Sequence, residues 1–113
     1  MSTLSTPRRR RGPGLVRVAG PSMEPTLHDR DLLLVWWGRP AAADRLVVLR
    51  HPAHSDVLAV KRAAYPDPAD ERRWWVERDN PRAGSDSWTF GSVADSDILA
   101  RVLIRLPRLR TRR

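Results

Sequence analysis

Short apolar runs, each closed by a cluster of turn-forming residues, set the pattern of this chain. "LVRVAG" (15–20) alternates apolar and polar positions, as a half-buried strand does. "DLLLVWW" (31–37) is apolar at consecutive positions, the signature of a central or doubly covered strand. "RLVVLR" (45–50), "VLAVKRAA" (57–64) and "RWWVERD" (73–79) are rich in β-branched and aromatic residues. Between them lie "GRPAAAD", "HPAHSD", "YPDPADE" and "DNPRAGSDS", all turn chemistry. "DILARVLIRL" (97–106) fits a strand or a short helix equally well. Ten prolines spread through these boundaries argue against a helical bundle. The pattern predicts a small, mostly β domain of antiparallel strands without internal repeat, its core built from Leu, Val and some of the five tryptophans.

Composition narrows this picture. The 113 residues suffice for one compact domain with a single modest core. There is no cysteine, which removes disulfides, thiolate metal sites and cysteine nucleophiles. The longest apolar run, "LLLVWW", is far short of the ~20 residues of a membrane-spanning helix. No secretory pattern follows "RRRR", so a soluble, cytoplasmic protein is expected. The net charge of +8 is carried by the ends: the segment 15–100 holds 11 basic and 13 acidic residues, a net of −2. Residues 1–14 read as a disordered basic arm, 15–106 as the folded domain and 107–113 as a basic tail.

Candidate chemistry starts from one exception. Of 21 basic residues, 20 are arginine and only Lys61 is lysine. Arg keeps its proton in proteins, whereas Lys loses it when burial lowers its pKa, so a site needing a neutral amine must use Lys. A lysine whose head snorkels to solvent from an edge strand is the structural alternative. Ser22, inside the Gly20-Pro21 turn and ahead of an apolar run, exposes an oxygen and neighbouring backbone N–H groups. A Ser-His-Asp triad would need His28, His51 or His54, none in an apolar run that would fix its tautomer. "HPAH" resembles a two-histidine metal pair, but Pro52 breaks the required helix and no further ligand cluster completes it. Asp29 and Asp31 read as a solvated strand entry. No metal or other cofactor is expected.

"GPSMEPTL" with "RDLLLV", then "VLAVKRAA", then "VERDNPRAGSDSWTFGSV", resembles the type I signal peptidase family of Ser-Lys serine peptidases. Its S-M-x-P-T-L, K-R and D-N…D-S…G-x-V boxes occur here in the family's order. The resemblance implies Ser22 as nucleophile and Lys61 as general base. Gly20, Pro21, Met23 and Pro25 would shape the turn and its oxyanion donors, with the Ser22 N–H as one donor. Arg62 would be supported by Asp86, and Asp79 and Asn80 would shape the closing turn. Ser85 or Ser87 would stand in for a lysine-contacting serine whose position is Gly84 here. A substrate would bind extended beside the site, with shallow pockets for small residues.

Four positions depart from the family's pattern: Gly20 lacks a hydroxyl donor, Arg78 replaces a glycine, Gly84 a serine and Trp88 an arginine. Each lost donor would cost about 2.7–4 kcal/mol of transition-state stabilisation if unreplaced. A short, Arg-rich chain without an anchor is most similar to one subgroup, the maturation proteases of nickel-containing superoxide dismutase. That resemblance implies a precursor protein with an extended N-terminal leader as partner. Two rivals remain: a membrane-peripheral processing enzyme held by its basic ends, and a basic β module binding nucleic acid, which the acidic body disfavours. Self-cleaving repressors share the Ser-Lys pair but would carry a DNA-binding region upstream, for which 14 residues leave no room.

Overall fold

The computed structural model describes residues 11–52, 54 and 57–107. Seven strands form one antiparallel sheet: β1 (Gly12–Arg17), β2 (Leu32–Trp37), β3 (Arg45–Arg50), β4 (Leu58–Asp67), β5 (Asp70–Glu77), β6 (Val93–Ala94) and β7 (Ile98–Arg105). Their order across the sheet is β1-β2-β7-β3-β4-β5-β6. The one α-helix among the described residues, α1 (Ser87–Phe90), is a single turn between β5 and β6. The mostly β, antiparallel expectation therefore holds, and the ambiguous segment 97–106 resolves as strand β7. Its place between β2 and β3 demands extended backbone hydrogen bonding on both edges.

Two apolar clusters cover the two faces of the sheet. Leu33, Val35, Trp37, Val48 and Ala100 form one with Val18, Met23 and Leu27 from the β1–β2 connection. Val47, Leu49, Ala63, Val76 and Val93 form the other. The doubly covered strand is β3, where Val47, Val48 and Leu49 are all fully buried. β2 is central but alternates: Leu33, Val35 and Trp37 are buried while Trp36 stands 38% exposed beneath the Arg39 guanidinium.

The first strand begins at Gly12, not Leu15, so the expected boundary of the N-terminal arm moves by three residues. Gly14 explains this. A Cβ there would collide with Trp37 Nε1, so only glycine lets the buried indole pack against the β1 backbone. The remainder of the arm, and most of the C-terminal tail, lie outside the described residues.

Candidate active site

The connection between β1 and β2 is pinned at its base, where Val18 N–H donates to Asp31 O at 2.8 Å and Arg30 N–H to Val18 O at 2.8 Å. At its tip, Glu24 N–H donates to Pro21 O and Leu27 N–H to Met23 O, turning the chain around Ser22. Met23 and Leu27, each 1% exposed, anchor that turn in the core. Gly20 has φ +87°, a conformation glycine adopts without strain. Its N–H donates to Asp29 Oδ1 at 2.8 Å, which removes it from any oxyanion role. The Ser22 N–H has no acceptor among the described residues and so stays available to one. Asp31, expected to be solvated, is 1% exposed and accepts the His28 N–H; it is a buried turn-holder. Pro25 follows Glu24 through a cis peptide bond in the same turn.

Lys61 lies in β4 directly opposite Val47 and two residues before Ala63, so its stem takes the face of the second apolar cluster. Only 4% of it is exposed, so the snorkelling alternative is excluded. Among the described residues no carboxylate lies within ion-pair distance of its ammonium group. Burial pushes its pKa below the ordinary 10.5; attraction to Asp86 partly opposes this, and repulsion from Arg78 adds to it.

The segment after β5 closes the site. Asn80 fastens it to the serine turn twice, its N–H donating to Ser22 O at 2.9 Å and its Nδ2 to Pro21 O at 2.9 Å. The Asp79 N–H points to Met23 Sδ at 3.4 Å. Gly84, at φ +76°, then passes beside the serine: a Cβ placed on it would lie 2.7 Å from Ser22 Cβ, 3.6 Å from Ser22 Oγ and 3.8 Å from Lys61 Nζ. The alcohol and the amine thus both border the space beside Gly84. No direct hydrogen bond joins them, a separation common before substrate closes a site. Glycine is required there because the space a side chain would fill belongs to the serine.

Two expected roles are corrected. Arg62 pairs with Asp79, not Asp86, through Nε–Oδ1 at 3.0 Å and Nη2–Oδ2 at 2.7 Å. The cause is strand alternation: adjacent side chains point to opposite faces, so Arg62 turns away from the side where Asp86 approaches Lys61. The Arg62 hydrogen bond, with help from Thr26, holds the Asp79 carboxyl below its usual 3.8 despite burial. Asp86, 4% exposed, instead caps α1 by accepting the Trp88 N–H and pairs with Arg78. Ser87 Oγ accepts the Val76 N–H at 2.8 Å, a structural role joining α1 to β5.

From Ser22 a cleft of about 670 Å³ runs between residues 15–19, leading from the edge strand β1, and residues 57–60 at the start of β4. Trp37, Val48 and Met23 are among its apolar lining, and Asp29 and Arg30 also border it. The sequence left unnoticed the contributions of Asp29, Thr26 and Asp44, the last holding Arg62 through its carbonyl at 3.1 Å. Only their turn-forming residue types signalled them. The His51 and His54 rings lie 5.2 Å apart, tilted by 41°, but among the described residues no three metal-ligating side chains converge.

A family model described as Peptidase S24-like matches residues 3–102. No curated protein matches the chain.

Proposed function

Starting from a chain that belongs to the Peptidase S24-like family, which comprises Ser-Lys serine peptidases and includes self-cleaving repressors, we propose that this protein is a serine endopeptidase using Ser22 and Lys61. The observation that carries the reading is the approach of the Ser22 alcohol and the one lysine of the chain, buried and with no paired carboxylate among the described residues, to the space beside Gly84.

In this mechanism neutral Lys61 Nζ takes the Ser22 Oγ proton as Oγ attacks the scissile carbonyl. The oxyanion is met by the Ser22 N–H, which has no acceptor among the described residues. Lys61, now an ammonium, returns the proton to the leaving amine, and a new N-terminus departs. Water then attacks the acyl ester, its proton passing to Lys61 and back to Ser22 Oγ. The acyl half lies extended in the cleft, where β1, the edge strand among the described residues, offers backbone groups for strand addition.

The motifs shared with type I signal peptidases support leader removal as the biological task, and the likeness to one subgroup favours a nickel-containing superoxide dismutase precursor as substrate. Among the described residues no helix is long and apolar enough to cross a membrane. Incubation with that precursor, followed by N-terminal sequencing of the product, tests the assignment. Cleavage should vanish in Ser22→Ala and Lys61→Arg with the fold intact. Full activity of Lys61→Arg would overturn the mechanism, because a guanidinium cannot serve as base.

A further inference from the structure

We propose that Arg78 is a positioning residue for the base: it clamps the 79–86 loop that carries Gly84 past Ser22, and it engages the Asp86 carboxylate so that Lys61 is left without a counter-ion. This rests on the reading of Lys61 as base.

The geometry is that of a clip. Arg78 sits where β5 ends, and its guanidinium reaches forward over the loop. Its Nε donates to Asn80 O at 3.0 Å and its Nη2 to Pro81 O at 3.0 Å, fixing the first half. Its backbone N–H donates to Asp86 Oδ2 at 3.0 Å while Nη1 approaches Oδ1 at 3.6 Å, fixing the second half. One residue therefore holds both limbs of the segment whose Asn80 grips the serine turn and whose Gly84 lies against Ser22. A lysine could not make these directed contacts, because a planar guanidinium offers five donors in a fixed fork.

Its second effect is electrostatic. Among the described residues, the charged and titratable groups that act on or feel Lys61 are Asp86 and Arg78 from this loop and His51 just after β3. The His51 pKa is lowered by burial first, then by His54 and by Lys61, so His51 does not favour a charged neighbour. Among the described residues Asp86 is the group that stabilises the Lys61 ammonium, and Arg78 opposes it both by pairing and by direct repulsion. Without the Arg78 guanidinium, the attraction of a carboxylate only 4% exposed for the Lys61 ammonium would go unopposed and hold its proton on.

The single lysine makes the test direct, since a protein labelled with [13Cε]lysine gives one side-chain resonance to titrate. In Arg78→Met the Lys61 midpoint should move to higher pH, and the acid limb of the cleavage profile should move with it. Activity lost at pH 7 should then return as pH rises. Adding Asp86→Asn to that variant should bring the midpoint back down, and Arg78→Lys should stay nearer the wild type, its extra signal assigned with Lys61→Arg. A depressed wild-type midpoint left unchanged by Arg78→Met overturns this proposal and spares the base. An ordinary wild-type midpoint overturns both. Should Arg78→Met fail to fold, Asp86→Asn alone decides: its side chain still caps α1, and a midpoint that does not fall contradicts the proposal.

Discussion

Lys61 and Gly84 are the two residues whose surroundings say most about the site. A lysine whose pKa is depressed on folding binds fewer protons folded than unfolded between its lowered value and the ordinary 10.5. Stability contributed by this position therefore rises with pH across that window and is lowest below it. Lys61→Met should melt at a higher temperature than wild type at pH 7, and its melting should lose that alkaline rise. A wild type with no such rise would contradict the burial argument. Gly84→Ser, which restores the hydroxyl the signal peptidase pattern places there, should lower activity. A Cβ 2.7 Å from Ser22 Cβ forces the nucleophile aside, at a cost of about 1–3 kcal/mol of overpacking. A more active Gly84→Ser would contradict the close packing of Gly84 on Ser22. Both key residues were visible in the sequence, Lys61 by its uniqueness and Ser22 by its motif. The meaning of Gly84 was not, because a contact between backbone and nucleophile leaves no trace in residue type.

At the level of elements, the sequence marked most strands because alternation and β-branched content report burial directly. "RLVVLR" coincides with β3 (Arg45–Arg50), and "DLLLVWW" differs from β2 by one residue. It could not say which strand is covered on both faces, since that depends on what packs above and below. It also misassigned the partner of Arg62. Motif order placed Asp86 there, whereas the pleat sends Arg62 to Asp79 and leaves Asp86 to cap α1. The Arg62–Asp79 pair ties β4 to the loop after β5 and has side chains only 27% and 14% exposed. Asp79→Asn should therefore destabilise the fold by about 1.5–3 kcal/mol, read from denaturant unfolding at pH 7. The loss relative to wild type should shrink as pH falls through the lowered Asp79 pKa, where the wild-type carboxyl is itself protonated. A variant as stable as wild type at neutral pH would reduce this pair to an exposed contact.

Across the whole molecule, a single sheet brings three distant segments together: the serine turn between β1 and β2, the lysine on β4, and the loop between β5 and α1. Charge divides the chain differently, with a body of −2 between basic ends. If those ends hold anionic membranes, each Arg near the surface contributes about 1 kcal/mol. The full chain should then sediment with phosphatidylserine vesicles at low salt, and less at about 0.15 M salt. Removal of residues 1–10 and 108–113 should abolish sedimentation; retention by the trimmed protein would refute a role for the ends. The chemistry turns on the Lys61 amine. Titration of the lone [13Cε]lysine resonance in the wild-type protein reads its protonation without relying on turnover. The midpoint should lie clearly below 10.5, with the fold intact across the range. A midpoint at the ordinary lysine value would contradict the reading of Lys61 as base.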